Sequence, residues 1–339
     1  MTVAEPRSAV PHPIEPRSGR QLRIAAHGYE ADIASVGATL RALRFEGRDL
    51  VVPFAADEVR PNYRGATLAP WPNRIVDGRY TFGGVEHRLP LTEPERGHAL
   101  HGLVAWSEFA DRVVEPDRVV LSAVIEPQAG YPFRVQVEVE YRLDAEGLTQ
   151  TVTGRNLGAE AAPWGTGPHP YLVAGPDPVA EHGDAPRAPD LAAPPVDGWT
   201  LLLPASAVLT VTADRLSPVA LEPVDSHPEW DFRAPRRIGS VFIDHAFTAL
   251  SRTGGATTVE LRDPDGRGVA MVWDEACPWV QVHTADTPEV PATHRRGLAV
   301  EPMTCAPDAV NSGTGLVELA PGAEHAASWR IHALPPIAP

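Results

Sequence analysis

Six segments of this chain set ionisable or amide side chains among glycines, prolines and indoles. In GLAVEP, Glu301 ends a short apolar run and is followed at once by Pro302. In WGTGPHPYL, His169 lies between two prolines, with Trp164 and Tyr171 nearby. APWPNRIVDG places Asn73 and Arg74 beside Trp71, and RGHALHGLVAW offers His98 and His101 ahead of Trp106. FIDHAFTAL holds Asp244 inside an apolar run, and CPWVQVHT supplies Trp279 and Gln281. An apolar run stopped by proline reads as a buried strand that terminates there. A carboxylate at such a strand end needs partners to stay charged, so Glu301 either reaches solvent or faces a pocket. Singly, the other residues admit ordinary roles: a loop histidine, an aspartate that turns the chain, a stacked Arg–Trp pair, core indoles.

As a set, these side chains suit a polyol. Asp, Arg and Asn pair with neighbouring hydroxyls, and an indole face stacks on the apolar side of a sugar ring. An imidazole and a carboxylate supply an acid and a base that both work near neutral pH. The groups are scattered from residue 73 to residue 301, so only a scaffold that gathers them makes them a site.

That scaffold reads as all-β. From Gln21 onward the chain is a series of short β-type runs, such as QLRIAAHG, DRVVLSAVIEP and TTVELRDPDG, separated by Gly, Pro and Asp. Between Arg134 and Leu143 the residues alternate: Val135, Val137, Val139 and Tyr141 fall on one face, Gln136, Glu138 and Glu140 on the other. Period two marks a strand with one wet face. Turn signals recur about every ten residues and no amphipathic helix of useful length stands out, which predicts a many-stranded sandwich or barrel. Residues 1–19, rich in Pro, Arg and Ser, read as a flexible tail. Residues 20–335 read as one domain, and the Pro- and Ala-rich stretch 175–199 as a long inserted loop.

Composition removes several alternatives. The 339 residues carry a formal charge of −15, from 29 basic and 44 acidic side chains. That balance disfavours nucleic acid and an anionic membrane surface as partners. All of the basic residues are arginine, so Schiff-base chemistry, a pyridoxal-phosphate anchor and a P-loop are excluded. Two cysteines, Cys277 and Cys305, without Cys-x-x-Cys spacing, argue against a disulfide scaffold or structural zinc. With no signal-peptide core and no apolar run of about 18 residues, the expected location is the cytoplasm.

The order of the motifs resembles the aldose 1-epimerase (galactose mutarotase) family over about residues 20 to 332. It starts with GATLRAL and passes through NRI with DGRYTFGG, LHG with a following Trp, HPYL and DHAFT. It ends in GLAVEPMTCAPDAVNSG, the most specific of them. The resemblance implies a large β-supersandwich with an open cleft and no cofactor or metal. It implies Glu301 as general base, His169 as general acid, His101 as a second active-site histidine, and Arg74 and Asp244 as holders of sugar hydroxyls. Asn73 and Trp279 join them as candidate substrate-binding residues. The chain departs from the family pattern at Leu103, at Leu172-Val173 and in the 175–199 stretch.

The expected function is interconversion of the α and β anomers of a free aldohexose such as galactose or glucose. An ionised Glu301 takes the C1 hydroxyl proton while a protonated His169 serves the ring oxygen. The expected partner is a small sugar, taken by a monomer or homodimer. Two other readings stay open: a hexose 6-phosphate substrate, with Arg295 and Arg296 or Arg236 and Arg237 on the phosphate, and a sugar-binding protein without catalysis.

Overall fold

The computed structural model describes residues 15–175 and 195–337. Its strands form two large antiparallel sheets, one of nine strands and one of six, with a four-stranded N-terminal sheet over residues 21–49. The helices among the described residues are single turns, such as Pro195–Gly198 and Ala309–Ser312. The all-β expectation therefore holds.

The alternating segment forms the strand Val135–Asp144, third in the nine-stranded sheet. Its Val135, Val137, Val139 and Tyr141 are fully buried, while Glu138 and Arg142 face solvent. Each fully buried valine contributes about 1.5 kcal/mol or more relative to exposure, and a register slip of one residue would turn all of them outward. A hairpin turn over residues 144–147 returns the chain into Gly147–Asn156, in register from Val135↔Asn156 to Asp144↔Gly147. One contiguous core joins these side chains to Val280, Val282, Leu298 and Val300 of the six-stranded sheet and to Ile24 and Ile33 of the N-terminal one.

The six-stranded sheet carries most of the polar segments. Its order is Tyr171–Leu172, Leu298–Met303, Trp279–His283, Asp244–Leu250, Ala205–Val211, Pro218–Pro223. The strand expected to end at Glu301 instead runs through Pro302 to Met303, with Pro302 opposite Val280. Proline is tolerated because its missing N–H faces the 166–170 segment rather than the Trp279–His283 strand. On that side Val300 N–H donates to the Pro170 carbonyl and Thr304 N–H to the Thr166 carbonyl, so only the bond between them is lost. Glu301 therefore lies within a buried strand and is 1% exposed, which removes the solvated alternative.

Of the expected tail, residues 1–14 lie outside the described residues. Of the rest, Ser18 is buried and donates to the Ala56 carbonyl from its hydroxyl (2.8 Å), so packing begins before residue 20. Most of the expected 175–199 loop, residues 176–194, also lies outside them. No helix among the described residues is long and apolar enough to cross a membrane.

Candidate active site

Four backbone elements bring the polar segments together. Thr67–Leu68 pairs with Gly167–Pro168 and delivers His169, whose N–H donates to the Ala66 carbonyl (3.1 Å). Leu298–Met303 delivers Glu301 directly opposite Gln281 of Trp279–His283. Asp244 opens the next strand, opposite His283. A separate ribbon, Arg74–Val76 paired with His98–Leu100, carries Arg74 opposite Leu100 and so brings His101, the next residue, to the same end. The His101 N–H closes this end by donating to the Asn73 carbonyl (2.8 Å). Asn62, Tyr63, Asn73 and His101 all adopt left-handed backbone, with φ of 47°, 54°, 55° and 62°. Such backbone is uncommon outside glycine and collects where a site must be shaped. Gly102 continues the turn at φ 77°, where a Cβ would lie 2.1 Å from the Ala69 carbonyl oxygen.

His169 Nε2 lies 3.5 Å from Glu301 Oε1, and both side chains are buried. The imidazole of His169 is flanked by Tyr171 (5.1 Å between centroids) and Tyr63 (6.4 Å), both near-parallel to it, and meets His101 edge-on at 5.0 Å. Four buried polar atoms here lack a hydrogen-bond partner among the described residues: His169 Nδ1, His101 Nδ1, His283 Nδ1 and Glu301 Oε2. Buried polar atoms are nearly always paired, with protein or with water, so this cluster is a place where water or ligand polar groups complete the hydrogen bonding.

Burial governs the electrostatics. It pushes the Glu301 carboxyl well above its usual value, helped by the negative charge of Asp244 and opposed by Arg74. It also pulls His169 down to about 3, helped by the neighbouring His283, and His101 well below its usual value, with His169 and Arg74 adding to the effect. Burial thus favours the uncharged form of each partner, a neutral imidazole and a protonated carboxyl. The sequence-based expectation is an ionised Glu301 and a protonated His169, the charged tautomer of the same pair. Both arrangements hold the same single proton, and the macroscopic titration belongs to the pair.

Asp244 behaves differently. Burial pushes its carboxyl up, but His283, Arg74 and the Gln281 amide, which donates to Oδ1 at 2.7 Å, together hold it below the usual value. Asn73, Arg74, Asp244 and Gln281 line one recess. Arg74 is itself held by Glu93, which accepts from Nε at 2.7 Å and from Nη2 at 2.9 Å and also binds Arg96 (2.7 Å). Nη1 of Arg74 has no such bond among the described residues.

His169, Glu301, His101, Arg74, Asp244 and Asn73 are therefore gathered at one place. Trp279 is 5% exposed and packed with Leu209, Ala246, Met303 and Ala306, of which Leu209 and Ala246 line the same recess. His98 is structural, with Nε2 2.9 Å from the Arg215 carbonyl. The arginines considered for a phosphate are committed elsewhere. Arg295 is buried against Asp197 (2.6 Å) and Asp286 (2.8 Å), Arg236 donates to the Pro228 carbonyl (2.7 Å), and Arg237 donates to the Asp197 carbonyl (2.8 Å). Cys277 and Cys305 are both free thiols and buried. Sequence reading missed Glu93, Tyr63 and His283. Glu93 sits in a turn-forming stretch, TEPERG, with nothing in its spacing to tie it to Arg74.

A family model described as aldose 1-epimerase matches residues 20–332. YihR, an uncharacterised protein of Escherichia coli K12, is 34% identical over 316 residues, covering 93% of this chain and 94% of that protein. Mouse galactose mutarotase is 28% identical over 240 residues, covering 66% of this chain and 64% of its own length. Among solved structures, the GalM/aldose epimerase homologue from C. elegans superimposes with a TM-score of 0.76 at 18% identity, over 93% of this chain and 98% of that one. The galactose 1-epimerase of Lactobacillus acidophilus NCFM does so with 0.72 at 17%, over 91% and 92%. At such identities the structural likeness is one of fold, a galactose mutarotase-like β-sandwich.

Proposed function

We propose, from the premise that the chain belongs to the aldose 1-epimerase family, that it interconverts the α and β anomers of a free aldohexose by acid–base opening and closing of the ring. The observation that carries this reading is the buried His169–Glu301 pair at 3.5 Å, ringed by polar atoms without partners. Hydroxyls donated to Glu301 Oε2 favour its ionised form, which moves the shared proton onto His169.

Glu301 then takes the proton of the C1 hydroxyl while His169 gives its proton to the ring oxygen. The C1–O5 bond breaks and the C1 carbonyl forms. After rotation about C1–C2, the C5 hydroxyl attacks the other face of the carbonyl. His169 recovers its proton from that hydroxyl and Glu301 returns one to the new C1 oxygen. No atom is gained or lost. Arg74 and Asp244 hold the remaining hydroxyls. Each positioned proton-transfer group contributes on the order of 10²–10⁴ in rate.

The test is polarimetry on freshly dissolved α-D-galactose and α-D-glucose, with wild type beside Glu301→Gln. Wild type is expected to speed the approach to anomeric equilibrium, and the variant to lose on the order of 10²-fold or more. A wild type no faster than the spontaneous reaction on both sugars overturns the reading.

A further inference from the structure

A hairpin turn reaches the recess that Arg74 and Asp244 line. The strands Ala205–Val211 and Pro218–Pro223 pair from Ala207↔Pro223 to Val211↔Pro218. The turn between them, residues 212–217, is closed by the Leu216 N–H donating to the Thr212 carbonyl (2.9 Å) and the Thr212 N–H donating to the Ser217 carbonyl (2.9 Å). Leu216 has left-handed backbone, with φ 57°, yet is only 8% exposed. A bulky side chain in that conformation is an outlier that its surroundings must hold in place.

Arg215 does the holding. Its Nε donates to the Arg96 carbonyl (2.8 Å), and its Nη2 pairs with Asp77. The Asp77 N–H donates to His98 Nδ1 (3.3 Å), which places the ring proton on Nε2, and Nε2 donates to the Arg215 carbonyl (2.9 Å). Asp77 follows Val76, and Arg96 lies two residues before His98, so these partners flank the ribbon of Arg74–Val76 and His98–Leu100. The turn is therefore fastened to the same element that carries Arg74.

The recess has two sides. Arg74 and Asp244 belong to its polar side, and Leu216, Leu209, Val211 and Pro307 to its apolar one. The space left between them is about 10 Å³, close to what a single water-sized group needs. A hydroxyl fits such a space, bonded on one side to Arg74 and Asp244 and packed on the other against carbon. An ether or glycosidic oxygen brings a further carbon for which the wall leaves no room.

We infer that Leu216 is a specificity-determining residue that limits the recess to one free hydroxyl, so that this chain takes reducing sugars unsubstituted at that hydroxyl and rejects those alkylated or glycosylated there. Arg215 is a positioning residue that acts through the turn. The inference rests on the epimerase reading above, in which Arg74 and Asp244 hold sugar hydroxyls.

The experiment measures kcat/KM by polarimetry for D-glucose, D-galactose and the 2-, 3- and 4-O-methyl ethers of whichever is turned over faster. It uses wild type, Leu216→Gly, Leu216→Met and Arg215→Gln. Glycine adopts left-handed backbone without steric cost, so Leu216→Gly removes the side chain and keeps the turn. Forcing one methyl group into filled space corresponds to roughly five- to hundredfold in kcat/KM. Wild type is expected to disfavour at least one ether by that factor relative to its parent sugar. Leu216→Gly restores that ether relative to the parent and Arg215→Gln does so in part, whereas Leu216→Met, of similar volume, does not. A merely structural role would lower all rates together and leave the ratio unmoved. Catalysis on the parent sugar with all three ethers as good in wild type overturns the one-hydroxyl recess. A disfavoured ether whose ratio is the same in Leu216→Gly overturns the assignment to Leu216; where that variant does not fold, the ratio in Arg215→Gln decides. Both of these outcomes leave the epimerase reading standing, and no catalysis on either parent sugar overturns it and the inference together.

Discussion

Replacing His169 by Asn tests where the shared proton rests. In the folded protein, burial holds His169 near 3, against its ordinary 6.5. Between those values the folded state binds fewer protons at this site than the unfolded chain, so stability falls as pH drops through the window and is fully present above 6.5. Each pH unit inside the window carries about 1.4 kcal/mol, so moving from pH 7 to pH 5 removes about 2 kcal/mol from the wild type through this one group. Asparagine does not titrate, and the slope it leaves belongs to the other groups, which both proteins share. Urea unfolding followed by tryptophan fluorescence at pH 7 and pH 5 should therefore show the wild type losing about 2 kcal/mol more than His169→Asn. The absolute stability of the variant does not enter the comparison. Equal losses in the two proteins would mean that His169 is charged in the folded state near its ordinary pH. Burial would then not be what sets the proton affinity of His169.

Three further outcomes follow from the same geometry. Asp244 raises the proton affinity of both Glu301 and His169, so Asp244→Asn should move both limbs of the bell-shaped pH–rate profile toward acid, and unmoved limbs in kcat against pH would contradict that coupling. Glu93 is a buried counter-ion with two bonds to Arg74. Glu93→Gln should therefore lower unfolding stability by about 3 kcal/mol and raise KM through the loosened guanidinium, whereas a melting temperature and KM at wild-type values would show Arg74 to be held by other means. Gly102→Ala forces a Cβ against the Ala69 carbonyl at φ 77°, so a loss of about 1–2 kcal/mol from the backbone conformation alone and a drop in kcat from a displaced His101 are expected. Both are read from thermal melts and initial rates.

Much of the site was legible from residue type and local setting. His169 between prolines, Arg74 after Asn73, and Asp244 at the start of a strand all come together as their segments suggested. Glu93 stayed hidden because its role is a contact across a turn to a different strand, and glutamate in a Pro- and Gly-rich turn is commonplace. Trp279 shares a strand face with Gln281 and His283, but it is buried there against Leu209, Ala246, Met303 and Ala306, which its sequence setting did not reveal. Pro302 misled as a strand end: its missing donor costs one bond to the 166–170 segment and leaves the pairing with Trp279–His283 intact.

The amino-acid order by itself determined the all-β architecture, through period-two burial and turn residues at short intervals. It determined which titratable groups could meet, and it excluded lysine chemistry outright. These are local properties, set by covalent geometry and side-chain type. Tertiary structure decided the rest: that Glu301 is wholly buried 3.5 Å from His169, that burial favours the uncharged form of each, and that a buried Arg60 braces an exposed Trp106. Proton affinity depends on the dielectric and on charges brought from distant segments, and stacking depends on which face is left open. Neither is encoded in any one stretch of chain; both arise when the sheets close around the site.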